Sequence, residues 1–172
     1  LKLLGVLFIR SCLNKKQFIY SGNLSTNMPQ HNRNEDEREW DHYWEAEQKK
    51  SKALYDIIAV FYRKYIIKRA LNNFVKATFK PGVLLLHAGC GGGQGDTDVV
   101  RYAKVKALDI SQWALDRYQE LNGTFAQTIR GSIFEIPLPD NSVDGIYNLG
   151  VMEHFTEEEI CTILKEFHRV LK

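Results

Sequence analysis

The chain has 172 residues, of which 44% are apolar and 26% charged, and a formal net charge of +2. That composition suits one globular domain with a sizeable core and excludes collagen-like, disordered and disulfide-scaffold classes. The small charge, spread among acidic residues, gives no nucleic-acid or membrane-surface partner.

Residues 3–9 form an apolar run too short to span a bilayer, with no small-residue cleavage site after it. Cys12, Cys90 and Cys161 stand far apart without a CxxC pair, so a reducing, cytoplasmic setting is expected. Residues 21–33 are polar, with Pro29 and several asparagines, and Met28 is a plausible start. Residues 1–34 are therefore expected to be disordered or upstream of the fold.

Residues 35–80 carry Leu54, Ile57, Ile58, Phe61, Tyr65, Ala70, Leu71, Phe74 and Val75 mostly at three- and four-residue steps, a helical region with one buried face. Asn72 and Asn73 are candidate interruptions. Trp40, Tyr43 and Trp44 ahead of it read as packing residues or as a lid. Pro81-Gly82 makes a turn, and 83–86 is an unbroken apolar run of the kind that is buried on both faces of a parallel sheet. The spacing then predicts a strand over 105–110, a helix capped by Ser111 with Trp113, Ala114 and Tyr118 inward, and a weaker strand over 125–130. Residues 137–142 are turn-rich, 143–148 form a fourth strand, and Thr156 with Glu159 opens a last helix through a capping box. Alternating strands and helices imply an open, largely parallel α/β sheet, Rossmann-like, with flanking helices over 81–172.

The chemistry concentrates in the loop from His87 to Asp96, which holds five glycines directly after a buried strand. Glycines there let the backbone approach a ligand at the carboxyl ends of the strands. Dinucleotide binding needs glycines at i, i+2 and i+5, and no register supplies the third: Gln94, Asp96 or Asp98 occupies it. No Gly-Lys-Ser/Thr follows, so the loop is not a P-loop either. Asp109 ends the second strand sixteen residues after Gly93. A carboxylate at that place can accept two hydrogen bonds from a ribose diol; its rival reading is a helix-start residue beside Ser111.

Gly89-Cys90-Gly91-Gly92-Gly93, the strand end 107–111, the segment 131–137, the strand 142–148 and the loop 150–155, in that order, resemble the class I S-adenosylmethionine-dependent methyltransferases. The resemblance covers roughly residues 83–172. It implies S-adenosyl-L-methionine as cofactor, a small-molecule methyl acceptor and no metal. It places cofactor contacts at Gly89, Cys90, Gly91, Gly93, Asp109, Ile110, Ser132, Ile133 and Asn148. His154 is the nearest candidate general base, against a structural role, with Glu153 as a weaker alternative. His87 replaces the family's usual acidic residue and Ser132 its frequent adenine-contacting aspartate. His87 is expected to be neutral and structural, and aspartate is expected to be tolerated in its place. Relatives continue with about three more strands, so the domain is expected to be C-terminally truncated with an unpaired edge on its fourth strand. The alternative functions are a cofactor-binding or interaction protein without catalysis and, from another class, a nicotinamide-dependent oxidoreductase.

Overall fold

A computed structural model describes residues 6–12, 15–21 and 63–172. Met28, Trp40, Tyr43, Trp44 and the helical periodicity before residue 63 lie outside the described residues. Strands β1 (Val6–Cys12) and β2 (Lys15–Ser21) form an antiparallel hairpin. A π-helical turn, Arg63–Ile67, leads into α1 (Lys68–Thr78). Then follow β3 (Leu84–Ala88), the short α2 (Val99–Tyr102), β4 (Lys104–Asp109), α3 (Gln112–Asn122), β5 (Ala126–Arg130), β6 (Gly145–Leu149) and α4 (Glu157–Val170).

The six strands lie in the order β2-β1-β6-β3-β4-β5. β5, β4, β3 and β6 run parallel, as the alternation of strands and helices requires. Val6–Cys12 and Lys15–Ser21, within the stretch expected to be disordered or upstream of the fold, are strands. One expectation changes: β6 has no bare edge, since β1 pairs antiparallel with it, from Val6 opposite Leu149 to Arg10 opposite Gly145. An apolar strand end gains its remaining backbone hydrogen bonds by accepting the hairpin.

Side chains alternate across the sheet, so each strand feeds two cores. Leu85, Val105 and Tyr147 pack on one face against Leu71 and Val75 of α1 and Val99 and Val100 of α2. Cys90 and Ala107 extend that layer to Leu115 and Tyr118 of α3. Leu86, Leu108 and Ile146 turn to the other face and meet Ile163, Phe167 and Val170 of α4. Asn72 does not break α1, because its Nδ2 donates to the Lys68 carbonyl one turn back at 2.9 Å. The expected capping box is formed: Thr156 Oγ1 accepts from Glu159 N at 3.3 Å, and the Glu159 carboxylate accepts from Thr156 N at 2.8 Å. Among the described residues, no helix is long and apolar enough to cross a membrane.

α4 also holds the segment between β5 and β6. Arg169 donates to the carbonyls of Leu138 (2.9 Å) and Ile136 (2.8 Å) and to Asp140 (2.7 Å), while Glu166 accepts from Ile136 N (2.7 Å) and from Arg169. The Arg169 hydrogen bonds hold the Glu166 carboxyl below its ordinary value, against the effect of burial. A planar five-donor fork serves this set of acceptors and an ammonium does not. We predict that Arg169→Ala and Arg169→Lys both lose about 1–3 kcal/mol at pH 7 in urea unfolding. A carboxyl lowered in the folded state stabilises above the ordinary glutamate range, and that contribution is lost on acidification. The wild-type advantage should therefore shrink as the pH falls below about 4.

Candidate functional site

Strand order reverses between β3 and β6, and the glycine loop leaves β3 at that switch point, where open α/β sheets take their ligands. The loop is shaped by its neighbour strand. Gly89 N and Cys90 N both donate to the Leu108 carbonyl (2.8 and 2.9 Å), Gly91 N to Asp109 Oδ2 (2.8 Å) and Gly93 N to the Cys90 carbonyl (3.2 Å). Four amides at the start of the loop are thus committed within the protein. A pyrophosphate cradle requires such amides to point at the ligand. The loop instead presents bare backbone for close approach.

Asp109 is 8% exposed at the end of β4, with Oδ2 accepting from Gly91 N and Oδ1 from Ser111 N at 3.0 Å. Ser111 caps α3 itself, its Oγ accepting from Ala114 N at 3.2 Å. Asp109 is therefore more than a helix-start residue, since its carboxylate joins the glycine loop to the start of α3. A carboxylate has about four acceptor positions, so the amides of Gly91, Ser111 and Ile110 leave acceptor capacity for a ligand. Burial pushes its pKa up, while the amides of Ser111 and Gly91 oppose that shift. Burial, with Asp109 and Asp96 nearby, also raises the Cys90 thiol well above its ordinary value. Cys90 is a protonated packing residue and not a thiolate nucleophile.

The other expected residues converge from three elements. Gly131 N donates to the Asp109 carbonyl at 3.0 Å and draws the next segment beside the acidic strand end. There Ser132 Oγ accepts from Phe134 N at 3.2 Å and Ile133 is buried at 8% exposure. Half-buried Ile110 follows Asp109 directly. Asn148, fully buried near the end of β6, donates to the Ala88 carbonyl at 3.4 Å. The segment after β6 lies on the glycine loop, because a Cβ at Gly89 would stand 2.5 Å from Val151 Cγ2. His154 is half-buried in the 3-10 turn Met152–His154, and its amide donates to the Val151 carbonyl at 3.1 Å. Beside it, Glu153 Oε2 is buried with no hydrogen-bond partner.

Sequence reasoning missed a second polar cluster beneath the loop. His87 Nδ1 bonds Asp96 Oδ2 at 2.7 Å, Tyr118 OH donates to the same oxygen at 2.6 Å, and the Tyr147 ring stacks on His87 with centroids 4.4 Å apart. Nine residues separate His87 from Asp96, a spacing that no helical or strand period marks. An aspartate at position 87 would set two carboxylates against each other. The substitution expected to be tolerated should therefore be disruptive.

Gly93 packs against this cluster with a φ of +69°, and a Cβ there would lie 2.3 Å from Tyr118 Cδ2 and 2.5 Å from Asn122 Nδ2. We predict that Gly93→Ala lowers the melting temperature by several degrees, more than Gly92→Ala, whose nearest neighbour is the flexible Arg117 stem at 3.3 Å. Thermal melts of both variants check this.

Comparisons with known proteins agree with this architecture. The methyltransferase domain family matches residues 86–172. A sterol 24-C-methyltransferase of Gibberella zeae is 32% identical over 100 residues, 54% of this chain and 26% of that protein. A probable S-adenosylmethionine-dependent methyltransferase of Mycobacterium tuberculosis is 32% identical over 93 residues, 51% of this chain and 31% of that protein. The chain thus spans about a quarter to a third of the length of these relatives. The crystal structure of magnesium protoporphyrin IX methyltransferase from Synechocystis, with bound SAH, shares the fold at a TM-score of 0.62 and 15% identity, over 78% of this chain and 64% of that one. With the family match covering half of its residues and the parallel sheet in place, the chain belongs to the class I S-adenosylmethionine-dependent methyltransferases.

Proposed function

We propose that residues 81–172 bind S-adenosyl-L-methionine in a protein that methylates a small-molecule acceptor. The observation that carries this reading is the Asp109 carboxylate, fixed by the Gly91 and Ser111 amides and retaining acceptor capacity at the switch point. Those bonds hold the carboxylate in place before a ligand arrives, so a ribose diol meets a pre-oriented acceptor. Gly89, Cys90, Gly91 and Gly93 supply the backbone surface for the methionine portion. Ile110 and Ile133 supply apolar walls for the adenine and Ser132 a polar group at its edge, while Asn148, bonded to the Ala88 carbonyl, lies beside the start of the glycine loop. The commitment of the loop amides favours a sulfonium nucleoside over a nicotinamide dinucleotide, whose pyrophosphate would find no donors at those four positions.

Bound S-adenosylmethionine supplies a methyl group on a sulfonium, a leaving group that needs no activation. The protein's task is then to align the acceptor and exclude water. His154 is the candidate group to take a proton from a hydroxyl or amine acceptor, carried on the turn that follows β6. The sterol-methylating relatives support a small-molecule acceptor.

Asp109→Ala should weaken binding of S-adenosylhomocysteine about ten- to a thousandfold, because two charge-assisted bonds are removed. It should also lower the melting temperature of the ligand-free protein, because the Gly91 and Ser111 amides lose their acceptor. Calorimetric titration and thermal melts measure the two effects separately. Unchanged affinity in the folded variant would sink the ribose assignment. Millimolar NAD should leave S-adenosylhomocysteine binding unaffected, and competition between them would revive the oxidoreductase reading. Transfer of labelled methyl to a metabolite extract would distinguish an enzyme from a protein that only binds the cofactor.

A further inference from the structure

We infer that Asp96 is the positioning residue of the cofactor loop, acting through His87 and Tyr118 to hold the loop in its binding shape before any ligand is present. The inference rests on the cofactor reading above. Asp96 is wholly buried, and its hydrogen bonds run to His87, Tyr118, Gly93 and Val100. His87, at 2% exposure, and Tyr118, at 0%, surround it. A buried carboxyl group is held in one position by the hydrogen bonds that it makes. Here both donors converge on Oδ2, His87 Nδ1 at 2.7 Å and Tyr118 OH at 2.6 Å.

The donors sit on different elements, and that explains what the cluster does. His87 belongs to β3, which feeds the loop, and Tyr118 to α3, whose start Asp109 and Ser111 fix. Asp96 lies at the loop's exit, where its amide donates to the Gly93 carbonyl at 3.1 Å and its carbonyl accepts from Val100 N at 3.0 Å. One turn along α3 from Tyr118, Asn122 Nδ2 donates to the same Gly93 carbonyl at 3.1 Å. The loop is thus held at its start by β4 and at its exit by Asp96 and α3. Losing the exit anchor would free Gly91 to Gly93 to sample other turns, so binding would have to select a minor conformation and affinity would fall with its population.

The test uses the whole chain with Tyr118→Phe, Asp96→Asn and the double variant. Tyr118→Phe keeps the ring against Gly93 and removes only the hydroxyl. Binding of S-adenosylhomocysteine is titrated well below each melting point, and amide hydrogen exchange is followed in the ligand-free state. Each single variant should weaken binding about ten- to a hundredfold, and the double variant little further, because both act on one anchor. Exchange should quicken at residues 89–96 while the amides of β4 and β5 keep their protection. Lowered melting temperatures with unchanged affinity and unchanged loop exchange would overturn the proposal and leave the cluster a stability element only. If the wild-type chain fails to bind S-adenosylhomocysteine, the cofactor reading falls by itself. Loop exchange in the variants then decides the positioning role: selective quickening upholds it, and its absence refutes it.

Discussion

The Asp109 carboxylate, shared between the Gly91 and Ser111 amides, is the contact on which the rest of the site depends. It ends β4, shapes the turn that leaves β3 and holds the cap residue of α3. Leu108, one residue earlier, accepts from Gly89 and Cys90, so two consecutive residues of one strand determine the path of the neighbouring loop. The parallel register, with Ala88 opposite Leu108, makes this possible by bringing both strand ends to the same level. A loop held by the strand beside it needs no ligand to find its shape, and pre-organisation of this kind lowers the cost of binding.

A second economy concerns buried charge. Asp96 and Asp109 both lie below one tenth exposed, close enough to Cys90 that each raises the pKa of its thiol. Both make hydrogen bonds within the protein: Asp109 to backbone amides through both oxygens, Asp96 to a histidine and a tyrosine hydroxyl through Oδ2. Histidine at position 87, where relatives commonly carry an acid, fits this arrangement. It meets an acidic side chain that comes from further along the loop, so an acid is kept beside this strand end and its place in the chain is moved.

Around this centre the sheet divides the labour between its faces. α1, α2 and α3 cover the face of Leu85 and Tyr147, while α4 covers the face of Leu86 and Ile146 and holds the 136–140 segment through Arg169 and Glu166. That segment continues from Ser132 and Ile133, so the packing of α4 bears on the wall assigned to adenine. The hairpin β1-β2 closes the sheet beyond β6, which turns a four-stranded parallel unit into a six-stranded mixed one.

Much of this was legible in the chain because local rules govern it. The apolar run before the glycines, the acid ending the second strand, Ser111 as a cap and the Thr156–Glu159 box each depend on neighbours a few residues away, and each forms as those neighbours require. Other features depend on contacts between distant elements. Asn72 looked like a helix interruption, but its side chain bonds back to Lys68 within an intact, packed helix. The antiparallel pairing of Val6–Cys12 with β6 joins residues more than 130 positions apart and has no local mark. The sequence by itself determined the alternation of strands and helices, the glycine loop and the acidic strand end, since these follow from period, cap and turn chemistry. Only the tertiary structure decided that His87, Asp96 and Tyr118 share one buried oxygen, because their meeting depends on how two strands and a helix pack and not on their spacing along the chain.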